Sequence, residues 1–196
     1  MRKICRTLIA AALAVLACSP IKAQKNMENV LNERQQSIVA IACLEAKGDI
    51  DGLKTAINEG LDAGLTVSQV KEALSHLYAY TGFPRSLNGL GALQGVLDER
   101  KQRGINDPEG KEADPLPEGY DALKQGTEVQ SKLTGRADNY AFAPATDYYL
   151  KAHLFGDIFA RNNLTHAQRE LVTVSALSGL EGCEAQLKSH INLSLI

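Results

Sequence analysis

The stretch that decides the fold reads Thr165-His166-Ala167-Gln168-Arg169-Glu170-Leu171-Val172-Thr173-Val174 and, one turn later, Cys183-Glu184-Ala185-Gln186-Leu187-Lys188-Ser189-His190. The hydroxyl of Thr165 stands just before apolar residues at helical spacing, which indicates the start of a helix. We therefore predict two consecutive helices. The first carries an Arg-Glu pair, and the second ends on a histidine.

A weaker copy of this layout lies earlier in the chain. Leu53-Lys54-Thr55-Ala56-Ile57-Asn58 matches Leu187-Lys188-Ser189-His190-Ile191-Asn192 at a separation of 134 positions, and Arg34-Gln35 matches Arg169-Glu170. Duplicated helical units of this kind share one core. Helical periodicity explains the leucines of both copies, but not why a carboxylate and an imidazole occur in the second copy alone. We therefore expect function to lie in the second copy.

The rest of the chain also predicts helices. Apolar residues recur at helical spacing over 27–46, 50–61, 67–81 and 84–103, and more weakly over 120–133 and 144–159. The sequence Thr66-Val67-Ser68-Gln69 is a capping box, which predicts the start of a helix. Gly82 predicts the end of that helix, and Pro84 predicts the start of the next one. Residues 104–119 are rich in Pro and Gly and predict a surface connection. No segment alternates with period two, so the predicted class is all-α.

Composition restricts the function. The chain has 196 residues, a net charge of −2 and 44% hydrophobic residues, which suits a globular domain with a real core. Its near-neutral charge and the absence of Trp give no basis for nucleic-acid binding. No spacing of His, Cys and carboxylates fits a zinc site, and no Gly-rich phosphate loop is present. We expect neither a metal nor a cofactor.

The N-terminus has the pattern of an export signal. A basic segment, Met1-Arg2-Lys3-Ile4-Cys5-Arg6, precedes an apolar run of residues 8–17 that is too short to span a bilayer. Ile21-Lys22-Ala23 then supplies a cleavage site before Gln24. Residues 1–23 are therefore predicted to be a signal peptide and the protein to be periplasmic. Val15-Leu16-Ala17-Cys18 also resembles a lipoprotein box, so a lipid anchor at Cys18 is the alternative.

The second helical pair resembles a known family. Arg169-Glu170-Leu171-Val172-Thr173 with Gln186-Leu187-Lys188-Ser189-His190 is similar to the core motif of the carboxymuconolactone decarboxylase family. Residues 150–161 and 76–84 resemble further parts of that pattern, so the resemblance covers most of 30–196. It implies an alkylhydroperoxidase D-like helical bundle, built from a duplicated unit and commonly assembled into trimers or hexamers.

The resemblance also divides the chain. We expect a first repeat over 24–103, a linker and connecting helix over 104–143, and a second repeat over 144–196 that is C-terminally incomplete. Nothing in the second repeat matches the helix at 66–81. Either the chain is a truncated form or a neighbouring subunit covers the face left open.

Decarboxylase-type members of the family imply a cofactor-free lyase that acts on a small carboxylated lactone. Loss of CO₂ beside a carbonyl leaves an enolate-like charge that must be protonated, and a histidine suits the donor. The resemblance assigns that role to His190, with Glu170 positioning it and Arg169 holding a carboxylate. His76 and Tyr80 share one helix face and are candidate pocket residues. Each also fits a structural role, as a core histidine, a helix-dipole partner or a surface arginine.

Alkylhydroperoxidase-type members imply a second chemistry. They use a Cys-x-x-Cys pair with a glutamate and a histidine, and Glu170, Cys183 and His190 fall near those positions. Gln186 occupies the place of the second cysteine, so a sulfenic acid on Cys183 would have no local partner. Thiol-dependent antioxidant activity through Cys183, paired with Cys43, is the alternative hypothesis. A non-catalytic oligomeric binding module is the second alternative.

Overall fold

The computed structural model describes residues 31–136 and 139–193, and the regular secondary structure of this part is entirely helical. The helices are α1 (Glu33–Lys47), α2 (Ile50–Asp62), α3 (Val67–Gln102), α4 (Ala122–Thr134), α5 (Pro144–Tyr148), a π-helix (Tyr149–Ile158), α6 (His166–Gly179) and α7 (Glu184–Leu193). The predicted all-α class is confirmed. The predicted signal peptide and Cys18 lie outside the described residues.

Two capping boxes fix the starts of α3 and α6. Thr66 accepts a hydrogen bond from the backbone N–H of Gln69, whose side chain accepts one from the Thr66 backbone, as the sequence predicts. Thr165 and Gln168 form the same reciprocal pair before α6, with distances of 3.2 and 2.9 Å. These contacts satisfy N–H groups that have no partner inside the helix. The start of α6 in turn fixes which faces carry Arg169 and Glu170.

Gly82 divides α3 into two helical halves. Its backbone (φ 79°, ψ 160°) is non-helical and lies in a region that is almost confined to glycine. The chain reverses there, since the Ser86 hydroxyl donates to the Leu74 carbonyl at 2.8 Å. The helix end that the sequence predicts at Gly82, with Pro84 starting the next half, is confirmed. This turn directly follows Tyr80, which faces the candidate site, and Thr81, which faces the core.

The main core lies where α1 packs against α2, α3 and α6. Helices α1 and α6, which occupy matching places in the two sequence copies, are in direct contact. The fully buried side chains are mostly aliphatic and come from all of these helices, among them Ile41, Leu53, Ile57, Leu74, Leu77 and Val172. Burial of such side chains contributes roughly 1.5–3 kcal/mol each, and it is what holds α6 in place.

A second cluster packs α4 against the π-helix. Leu154, Phe155, Ile158 and Phe159 form its buried part. The two backbones approach so closely that a Cβ atom on Gly126 or Gly156 would overlap main-chain atoms of the opposite helix. The predicted helix over 144–159 is confirmed in position, but its last ten residues have π-type hydrogen bonds. Apolar spacing over so few turns does not separate the two hydrogen-bond registers.

The predicted surface connection after α3 is held against the fold. The backbone N–H groups of Val67 and Ser68 donate to the carbonyls of Pro108 and Glu109 at 3.0 and 2.8 Å. Arg100 binds the carboxylate of Asp107 through two nitrogens. Among the described helices, none is long and apolar enough to cross a membrane.

Replacing Gly82 by Ala should lower the free energy of unfolding by about 1–3 kcal/mol, because an L-residue adopts this backbone conformation only under strain. Gly91→Ala is the matched control, since this exposed glycine lies inside a helix and a Cβ there would meet open space. It should be neutral or stabilising by up to about 1 kcal/mol. Urea unfolding measures both variants. Equal stability of the two would contradict the role given to Gly82.

Candidate functional site

The Glu170 carboxylate and the His190 imidazole lie together between α6 and α7. Helix α6 ends at Gly179, a turn containing Gly182 (φ 75°) follows, and α7 returns alongside α6. This return brings Nδ1 of His190 to 2.8 Å from Oε2 of Glu170. The side chains are 16% and 9% exposed. The two residues are twenty positions apart, so the sequence motif alone does not establish this contact.

Side chains of helix α3 lie next to the Glu170–His190 pair. The Tyr80 ring meets the His190 ring edge-on, with 5.8 Å between centroids. The His76 ring lies 5.3 Å from Tyr80 and 5.6 Å from Phe159. The structure thus gathers His76, Tyr80, Glu170 and His190, all predicted as site residues, into one region.

His76 is a buried neutral imidazole. Its Nε2 lies 2.9 Å from the Thr173 hydroxyl on α6. Burial, with smaller contributions from the positive charges of Arg169 and His190, lowers the pKa of His76 to about 3. A neutral ring has one N–H and one acceptor nitrogen, so the direction of its bond to Thr173 decides what its other nitrogen offers.

Arg169 is fully buried in an ion pair with Glu72. Its Nη2 donates to Oε1 of Glu72 at 2.7 Å and to the Arg161 carbonyl at 2.6 Å. Burial lowers the pKa of Arg169, and the Glu72 contact opposes that shift. Both two-nitrogen edges of a guanidinium include Nη2, so Arg169 cannot grip a carboxylate through such an edge while this ion pair persists. Its Nε and Nη1 are buried and have no hydrogen-bond partner among the described residues.

Sequence reasoning missed Glu72 and Thr173. Glu72, His76 and Tyr80 follow one another at four-residue intervals and therefore share one face of α3. This polar stripe along one face of α3 is a signal that could have identified Glu72. Thr173 lies one turn beyond Arg169 and had no such signal.

The two cysteines of the described residues, Cys43 and Cys183, are both free thiols. Cys183 is a half-buried free thiol at the residue before α7, and its carbonyl accepts from the Leu187 N–H at 2.9 Å. Cys43 is also free and half-buried, beside Gly179. Gln186 is exposed. No group of three or more His, Cys, Asp or Glu among the described residues could hold a metal ion.

Two open hollows lie elsewhere on the described surface. One is lined by residues of α1 and α2, including Glu33 and Asp62, and the other by residues around Arg100 and Ile105. Neither is lined by Glu170 or His190. The candidate site is therefore defined by buried polar contacts and not by either of these hollows.

The structure is a helical bundle with a carboxylate–imidazole pair between two of its helices. Comparison with known protein families tests which class of protein this arrangement belongs to. Residues 21–95 match the model of the carboxymuconolactone decarboxylase family. This match supports the family predicted from the sequence motifs. No curated protein matches the chain.

The family model does not cover the residues after 95, so the function of that part has to be inferred from its own geometry. Glu170 and His190 lie outside residues 21–95, so their roles stay predictions. Export, lipidation at Cys18, assembly into trimers or hexamers, and the division of the chain into two repeats also stay predictions.

Two buried titratable groups should give opposite pH dependences of stability. Because His76 is neutral in the folded state, only the unfolded chain gains a proton as pH falls below 6.5, so stability is lost on acidification. Burial raises the pKa of Glu45 to about 7, although Thr81 donates to it at 2.9 Å. The folded state therefore retains a proton that unfolded Glu45 releases above pH 4.5, and stability is lost as pH rises to 7.

Between about pH 4.5 and 6.5, the contributions of His76 and Glu45 to the pH dependence of stability should nearly cancel in the wild type. In Glu45→Gln only the His76 contribution is left, so the free energy of unfolding should rise with pH by up to about 1.4 kcal/mol per unit. His76→Gln should show the opposite slope, and His153→Gln, at an exposed site, should follow the wild type. Urea unfolding across this pH range measures the slopes. Parallel curves for the wild type and Glu45→Gln would contradict the assignment.

Proposed function

We propose that this protein is a cofactor-free lyase that removes CO₂ from a small carboxylated, lactone-like molecule, with His190 as the proton donor. The observation that carries the proposal is the 2.8 Å contact between His190 Nδ1 and Glu170 Oε2 in a largely buried setting. The match of residues 21–95 to the carboxymuconolactone decarboxylase family supports the reaction class.

The Glu170 carboxylate orients the imidazole, which carries a proton on each nitrogen in the proposed step. A carboxylate only accepts hydrogen bonds, so Nδ1 donates to it, and Nε2 on the opposite side of the ring is the atom that exchanges a proton. In many proton-transfer sites, the residue that gives or takes the proton is itself oriented by a neighbouring group. This arrangement makes His190 a proton donor of fixed direction.

The reaction then balances without another reagent. The bond between the substrate carbon and its carboxylate breaks, CO₂ leaves, and the electron pair moves onto the neighbouring carbonyl as an enolate. The enolate carbon takes the proton from Nε2 of His190, and solvent returns a proton to the imidazole. A positioned acid of this kind contributes typically 10²–10⁴-fold in rate.

The geometry does not favour a thiol peroxidase. Gln186 stands where that chemistry needs a second cysteine. A sulfenic acid on Cys183 would therefore have no thiol within its own helix to resolve it.

Replacing His190 by Gln should lower kcat for CO₂ release roughly 10²-fold or more, because the proton donor is lost. Glu170→Gln should also lower kcat, through misorientation of the imidazole. The matched control is His153→Gln. His153 Nδ1 also lies 2.8 Å from a carboxylate, that of Asp157, but on the exposed surface. This control should retain full activity.

The measurement is CO₂ release from a panel of small carboxylated lactones by the full chain and its variants. The proposal fails if the wild type and His190→Gln release CO₂ at the same rate from every substrate that the wild type turns over. It also fails if the wild type turns over none of them.

A further inference from the structure

Several polar atoms around the Glu170–His190 pair are buried and have no hydrogen-bond partner among the described residues. They are Nδ1 of His76, the hydroxyl of Tyr80, and Nε and Nη1 of Arg169. His76 and Arg169 are 1% and 0% exposed. Native proteins satisfy the large majority of buried polar groups, so a cluster of unsatisfied ones requires an explanation.

These atoms belong to side chains that surround one region. The guanidinium carbon of Arg169 lies 5.9 Å from the centre of the Phe159 ring, which is also 5.6 Å from His76. His76 is 5.3 Å from Tyr80, and Tyr80 is 5.8 Å from His190. The side chains that carry these atoms therefore form, together with Phe159, one connected group next to His190.

The chemistry of these groups favours an anion. Arg169 offers N–H donors. Tyr80 offers an O–H that stays protonated, because burial raises its pKa more than the interaction with the Thr173 hydroxyl lowers it. Arg161 and Arg169 share the carboxylate of Glu72, and of the two guanidinium groups only that of Arg169 is buried, since the Arg161 side chain is 46% exposed. Glu170 is already paired with His190. A buried group with acceptor oxygens would satisfy the free donors, and a negative charge on it would be attracted by the two guanidinium groups.

We propose that Arg169, Tyr80 and His76 form an enclosed subsite for one carboxylate group of the substrate, on the α3 side of His190. The inference deepens the proposed function and rests on it, since it places a part of the substrate that does not react. Arg169 contributes single contacts from Nε and Nη1, because Nη2 is held by Glu72 and by the Arg161 carbonyl.

His76 completes the subsite through its tautomer. When the Thr173 hydroxyl donates to Nε2, the ring proton resides on Nδ1, which then points a donor at the ligand. The opposite tautomer would present a lone pair and repel a carboxylate. Binding of an anion should therefore fix the ring proton on Nδ1.

The test is isothermal titration of the full chain with succinate and, in parallel, with its neutral analogue succinamide. Succinate should bind and succinamide should bind at least tenfold more weakly, because only the former supplies a charge. Tyr80→Phe removes one hydroxyl and should weaken succinate binding roughly tenfold. Tyr149→Phe, at an exposed tyrosine, is the control and should bind like the wild type.

Nitrogen NMR of the histidines gives a readout that a purely structural role would not produce. Succinate should shift the His76 signals to those of a ring protonated on Nδ1, and succinamide should not. Equal binding of the two ligands, no binding of either (water alone filling the space), or an unchanged affinity in Tyr80→Phe would each overturn the subsite.

The failure of this inference is distinguishable from that of the proposed function. His190→Gln should still bind succinate, because His190 is not part of the subsite. If succinate binds as expected while His190→Gln retains full turnover, the proton-donor role is wrong and the subsite stands. If His190→Gln loses turnover but succinate does not bind, the subsite alone is wrong.

Discussion

The buried ion pair between Arg169 and Glu72 is the interaction on which the candidate site depends. It joins α6 to α3 across 97 positions of sequence, with the two side chains 0% and 3% exposed. Breaking such a pair by removing one partner typically costs about 3–5 kcal/mol, because the other charge is left buried and unpaired. The pair therefore fixes the rotation of α6 against α3, and with it the direction in which the next residue points.

That next residue is Glu170. Successive residues of an α-helix point about 100° apart, so a helix that directs Arg169 at α3 directs Glu170 towards a different neighbour. Here the neighbour is α7, and its His190 meets the carboxylate at 2.8 Å. Thr173, one turn after Arg169, faces His76 at 2.9 Å. The ion pair thus positions both of these polar contacts, although it has no part in the proposed proton transfer.

Local features of the structure could be predicted from the sequence, and long-range ones could not. The capping box at Thr66, the break at Gly82 and the two helices after Thr165 follow from residues within a few positions of one another, and the structure contains them. Glu72 was not recognised as the partner of Arg169, because a contact between such distant residues depends on how the helices pack. For the same reason, the sequence indicated which residues were unusual but not that Arg169 is buried.

The two sequence copies differ both in the environment of their matching residues and in the residue types themselves. Arg34 and Arg169 hold matching places, and both donate to side chains of α3, at Gln69 and Glu72. Arg34 is exposed and its partner is neutral, whereas Arg169 is fully buried against a carboxylate. The position that matches His190 is Ala56, which is buried in the apolar core. Without an imidazole there, the first copy cannot form the acid–imidazole pair, so proton transfer of the proposed kind is confined to the second.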